Sequence, residues 1–142
     1  MNLATLTTLH ALMAGGWIAC VLTEALFERA LLGKGREQEL ILARLHWKVD
    51  KLVEGPLLVG MVLSGGAILH HWPVDNLLAT KLAFAGVAIA ANIWCIWLVW
   101  LRLGHAENGR WEDFARVDHS QHKWGALVLL GLVGAAAIGL WH

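Results

Sequence analysis

The chain has 142 residues, 58% of them hydrophobic and 15% charged, with eleven basic and eleven acidic side chains. So little polar surface cannot cover a compact soluble domain of this size, and apolar surface must remain in lipid. Zero net charge offers no footprint for a nucleic-acid partner, and no phosphate loop, nucleotide fingerprint or nucleophile–base pair occurs.

Four stretches, about 3–27, 52–72, 76–103 and 121–141, approach the roughly 20 apolar residues that cross a hydrocarbon core. Their length and lack of period-two alternation favour helix over strand. The expected fold is all-α: one domain over 1–142, an integral membrane four-helix bundle. The first stretch opens without a basic n-region and runs past any cleavage site, so it reads as a retained span rather than a signal peptide.

The connection after the first span, GKGREQELILARLHWKVDKLVEGP, is amphipathic, and its second half reads as an interfacial start to the second span. Pro56 lacks a backbone donor and should kink that span near its entry into the membrane. WPVDN is a tight turn. WEDFARV reads as a short surface helix before the fourth span. In that span Gly131, Ala135 and Gly139 form a small-residue stripe for close helix contact. The glycine pairs 15/16 and 65/66 either serve the same end or make room for a flat cofactor.

Arg29, Lys34, Arg36, Arg44, Lys48 and Lys51 precede the second span, and Arg102, Arg110, Arg116 and Lys123 lie between the third and fourth. The positive-inside rule then puts both connections in the cytoplasm and both termini outside, in a multi-pass protein of the cell inner (cytoplasmic) membrane. Trp72 and Trp141 fall at the outer interface, and Trp47, Trp111 and Trp124 at the inner one. Trp94, Trp97 and Trp100 make a stripe on the third span, read as lipid-facing or packed, or as rings beside a porphyrin. Cys20 and Cys95 have no CxxC spacing and read as small core residues.

This topology sorts the eight histidines into two layers. His10, His70, His71 and His142 lie toward the outer face, and His46, His105, His119 and His122 toward the inner one. His10 stands about two turns inside an uncharged helix, where an imidazole needs a ligand or a neighbouring helix. Lys81 lies at comparable depth and must snorkel, pair or lose its proton. The inner layer adds a second set. His46, Asp50 and Glu54 share a helix face, as do Glu24 and Glu28, while Asp118, His119 and His122 open the last span. Such a shell suits zinc, manganese or non-haem iron. The alternative is a salt-bridge network with Arg29, Arg44, Lys48, Lys51, Arg102 and Lys123.

The stretch LHALMAGGWIACV, with His10 and Trp17, followed by Lys81 in ATKLAFAGVAIAAN, resembles the HemJ-type membrane protoporphyrinogen oxidases and, more distantly, CopD-like copper-resistance proteins. The resemblance spans about the first 100 residues. It departs from the HemJ pattern at Asn92, where those proteins tend to carry histidine, and at EALFER, where they have a proline-arginine segment. It implies a b-type haem held by His10 and Lys81, with Trp17 as a pocket neighbour and His70 or His71 as alternative ligands. The expected function is then a haem-binding membrane redox protein, an electron carrier or oxidase working with quinone or a porphyrin-like substrate. A variant adds a second haem on His46 with His119 or His122. The alternatives are a non-haem copper, zinc or iron protein using Glu24, Glu28, His46, Asp50, Glu54, His119 and His122, or a structural subunit of a larger complex. A homo-oligomer is compatible with each.

Overall fold

The computed structural model describes residues 2–141, with side chains through 140; Trp141's ring and His142, both assigned to the outer end, lie outside the described residues. Five α-helices make four rods: α1 (Leu3–Leu31), α2 (Arg36–Val49), α3 (Gly55–Leu69), α4 (Asn76–Glu107) and α5 (Trp111–Trp141). A π-helical turn, Asp50–Glu54, joins α2 and α3 into one rod. No strand occurs among the described residues. All four rods are long and apolar enough to cross a membrane.

Apolar composition makes these helices because lipid offers no partner for a free peptide group, so each backbone must satisfy itself. Asn2 caps α1 by accepting from Thr5 N at 2.8 Å, and Asp75 caps α4 by accepting from Leu78 N at 2.7 Å. The turn between α1 and α2 needs left-handed backbone at Gly33 and Gly35, and that before α5 at Gly109.

Two sequence expectations change here. The second rod is helical from Arg36, so the whole amphipathic segment, not its second half alone, continues into the span. WEDFARV is no separate surface helix but the first two turns of α5. At Pro56 the irregularity takes the form of the π turn: Gly55 N–H bonds to Asp50 O, five residues back. Proline has no N–H to continue the α ladder, and π turns of this kind gather at functional sites.

Contacts run antiparallel along each pair of neighbouring rods. His10 meets Ser64 while Glu28 meets His46; Lys81 lies across Gly139 while Arg102 meets Asp118. α5 packs chiefly on α4 and only lightly on α1. Glycine makes the α4–α5 contact close: a Cβ on Gly131 would stand 2.9 Å from Ala88 Cβ and Phe84 O, and one on Gly134 2.7 Å from the Phe84 ring. In the α1–α3 seam Gly65 receives the His10 ring and Gly60 receives Met13, whereas Gly15 and Gly66 face open space.

Trp17, Leu58, Ala88, Ala91, Cys95, Val128 and Leu132 form the mid-bundle core, and Ala43, Ala106 and Phe114 a second cluster at the loop end. Only 17% of the most apolar window of α1 is buried. Leu12, Leu26, Leu63 and Leu130 accordingly point outward, as the side chains of a helix solvated by lipid should. Trp94, Trp97 and Trp100 are also outward, with Trp94 edge-on to Trp124 at 6.3 Å and Trp97 and Trp100 5.0 Å apart.

Candidate functional site: a buried carboxylate–histidine–arginine centre

At the basic-loop end of the bundle the polar residues of α1, the second rod, α4 and α5 turn inward and meet. Glu24 and Glu28 are one helical turn apart on α1; His46, Asp50 and Glu54 continue one face through the π turn; Asn92 and Arg102 come from α4; Asp118 and Gln121 come from α5. All are buried. The wider π turn keeps Asp50 and Glu54 in line with His46 at a level where a regular α-helix would drift around its axis.

Arg102, fully excluded from solvent, organises the upper half of the centre. Its Nη1 donates to Asp118 Oδ1 at 2.5 Å and its Nη2 to Glu28 Oε1 at 2.7 Å, both charge-assisted bonds. The guanidinium stacks over Phe114, 5.7 Å from the ring centroid. Among the described residues it is the one arginine or lysine that pairs with these acids. Arg44 instead pairs with Glu107 at an exposed edge.

His46 sits below. Its Nδ1 lies 3.0 Å from Glu28 Oε1, with Arg102 Nη2 at 2.9 Å converging on the same place. Its Nε2 faces Glu24 Oε2 at 3.4 Å and Asp50 Oδ1 at 3.8 Å. An imidazolium donating to both Glu28 and Glu24 fits, and so do two neutral forms. With the proton on Nε2, the ring donates to Glu24 and accepts from Arg102. With it on Nδ1, the ring donates to Glu28 and aims the Nε2 lone pair at two carboxylates, which only a cation between them makes favourable.

Charge is not balanced in any of these forms. Five buried acids, Glu24, Glu28, Asp50, Glu54 and Asp118, face one buried arginine and His46. Trp17 Nε1 donates to Glu54 Oε1 at 3.2 Å, yet both Asp50 oxygens, Glu24 Oε1 and Glu28 Oε2 have no hydrogen-bond partner. Buried unpaired carboxylate is costly, so the deficit must be met by protons or by a bound cation. Glu24, His46 and Asp50 present ligand atoms all within 4.8 Å of one another; a second such set, Glu28, Asp118 and His122, lies beside it. In the second set Arg102 already occupies the cation's place between Glu28 and Asp118.

A cavity of about 490 Å³ reaches the centre from the side. Glu24, His46, Asp50, Glu54, Asn92 and Gln121 form its polar end, and Val21, Leu22, Val128 and Leu129 its apolar walls.

The candidate residues thus separate into groups. Glu24, Glu28, His46, Asp50 and Glu54 converge. Trp17, expected beside His10, joins them through Glu54. His119 and His122 are both exposed, His122 at the cavity rim with its Nδ1 on Asp118 O at 2.8 Å. At the other end of the bundle His70 and His71 are exposed. There His10 Nδ1 lies 2.9 Å from Ser64 Oγ, whose own hydrogen goes to Gly60 O at 2.6 Å. Serine therefore accepts, Nδ1 carries the proton, and Nε2 keeps its lone pair. The Lys81 side chain lies within electrostatic reach of that ring. Of the six basic residues expected to neutralise these acids, Arg102 is the one that does so; Asn92 and Gln121 as members of the centre are what sequence reasoning missed. The available signal was helical spacing: Asn92, Cys95, Val99 and Arg102 fall on one face of α4, and Gln121 lies one turn from Asp118.

Comparisons with protein-family models, with curated proteins and with solved structures returned no significant match.

Proposed function

We propose that the protein is a multi-pass membrane protein that holds a divalent first-row metal ion, such as zinc, iron(II) or manganese, at Glu24, His46 and Asp50. The observation that carries this reading is the Asp50 carboxylate, neither of whose oxygens has a hydrogen-bond partner, with Oδ1 3.8 Å from His46 Nε2 and Glu24 Oε2 3.4 Å from the same nitrogen. Metal–ligand bonds of about 2.0–2.2 Å put neighbouring ligand atoms of a tetrahedral centre about 3.3–3.6 Å apart, close to the 3.4 and 3.8 Å seen here. The outer partners match as well: a metal-bound imidazole gives its other N–H to a carboxylate, the role available to Glu28, which Arg102 and Asp118 hold in place. One nitrogen and hard oxygens favour zinc, iron or manganese over copper(I). When bound, such an ion supplies Lewis-acid or redox chemistry; the chain supplies three ligands, their orientation and shielding from water. The test is elemental analysis of purified protein. About one metal per chain, lost in His46→Ala and in Asp50→Asn, is expected; a metal-free wild type loaded with none of these ions refutes the reading.

A second reading rests on His10. The Ser64 bond leaves Nε2 free, as an axial haem ligand requires. Met13 on Gly60 and His10 on Gly65 close the α1–α3 seam, so a flat ring has no room between those two helices. A b-type haem would be held by His10, with Lys81 as its expected partner, and would supply one-electron chemistry toward quinone or a porphyrin-like substrate. A Soret band lost in His10→Ala supports this; no band under haem-replete expression refutes it.

For orientation, the basic residues at the α1–α2 and α4–α5 turns support both termini facing outside an inner (cytoplasmic) membrane. An Asn2→Cys variant in intact cells should react with an impermeant maleimide, and protection of that thiol would reverse the assignment.

A further inference from the structure

Among the residues lining the cavity, the metal reading leaves two buried amides unexplained. Asn92 is 2% exposed and its Nδ2 has no hydrogen-bond partner; Gln121 is 7% exposed and its Oε1 has none. Both line the cavity. An unused amide donor and an unused amide acceptor, each costly to bury alone, together match a group that accepts one hydrogen bond and donates another.

The rest of the cavity describes the other half of the ligand. Away from the polar end its walls are aliphatic, and its rim combines the exposed Leu22 and Ala25 of α1 and Ala126 of α5 with the exposed Arg29 and His122 on the basic-loop side. Leu22, Ala25 and Ala126 belong to the outward surface of the spans, so the mouth opens between α1 and α5 to the hydrocarbon layer, with Arg29 and His122 marking its basic-loop side. α5 packs only lightly on α1, and Gly125 adds hollow there, since a Cβ on it would meet nothing within 4 Å. A volume of about 490 Å³ is in the range of sites for small organic ligands.

We propose that this cavity takes an amphiphile from within the bilayer, with a hydroxyl or hydroxy-carbonyl head hydrogen-bonded by Asn92 and Gln121 and an apolar body lying between α1 and α5. The assignment does not require the metal, because its head-group partners are the two amides.

The test is photolabelling of the full chain in lipid nanodiscs with a diazirine-bearing dodecanol, mapped by mass spectrometry. Labels are expected on the cavity segments of α1 and α5, around Leu22 and Leu129. Gly125→Leu, whose Cβ meets nothing within 4 Å and whose branched end puts bulk into the hollow, should lower that labelling at least tenfold. Asn92→Leu should lower it severalfold while leaving labelling by the matching hydroxyl-free diazirine dodecane unchanged. Gly66→Leu, whose side chain enters open space on α3, is the control and should label as wild type. Labelling spread evenly over Leu26, Leu63 and Leu130, or cavity labelling unaffected by Gly125→Leu, overturns the proposal. Metal content measured on the same samples reports separately on the His46 centre, so either reading can fail alone.

Discussion

Replacing Arg102 with methionine removes the one fully buried cation that pairs with the acids. Arg102 is excluded from solvent and donates to Asp118 at 2.5 Å and Glu28 at 2.7 Å. The loss leaves two buried carboxylates with only a histidine each beside them, and breaking a buried pair in this way costs about 3–5 kcal/mol. With an unfolding entropy of about 2.1 cal/mol/K per residue, a chain of 142 residues loses about 3 °C of Tm per kcal/mol, so a fall of about 10–15 °C is expected. The assay is thermal unfolding in a fixed detergent, followed by circular dichroism. The cost belongs to stranded charge rather than lost packing, so adding Glu28→Gln and Asp118→Asn to Arg102→Met should recover more than half of it. A fall of less than about 1 kcal/mol, or a triple variant no more stable than Arg102→Met, would refute the assignment of Arg102 as the organising cation.

The small-residue contact gives a matched pair. Gly131→Ala forces a Cβ to within 2.9 Å of Ala88 Cβ and Phe84 O and should cost about 1–3 kcal/mol, whereas Gly86→Ala, with nothing within 4 Å, should stabilise by about 0.5–1 kcal/mol; thermal unfolding of both checks the sign. Trp17→Phe removes the donor to Glu54 Oε1 and should cost about 1–3 kcal/mol, an effect that a Glu54→Leu background should largely abolish in a double-mutant cycle. Metal at a hundred times its Kd should add about 2.7 kcal/mol to the wild type, raising Tm by about 8 °C. Asp50→Asn should lose that shift, and an equal shift in both proteins would separate the ion from this site.

Much of the architecture was legible in the sequence because the bilayer imposes it. A run of apolar residues long enough to cross lipid has no stable form there but a self-satisfied helix, and Gly131 and Gly139 marked the face of α5 that meets α4. Helix ends were less legible. Polar residues such as those of REQELILARLHWKV and WEDFARV are compatible with both surface helix and loop, and packing of Ala43, Ala106 and Phe114 decides that they extend the rods. Periodicity put Glu24 with Glu28 and His46 with Asp50 and Glu54. It did not single out Arg102 from the five other basic residues able to neutralise these acids, since an arginine at the end of an apolar helix reads equally as a residue snorkelling to the interface. Only the tertiary structure brings α4 against α1 and α5, inserts that guanidinium between Glu28 and Asp118, and moves Trp17 from His10 to Glu54. Composition and hydropathy are properties of single segments and determine that the chain lies in the membrane; the identity of the charged centre depends on which faces of four helices meet, which one-dimensional spacing does not encode.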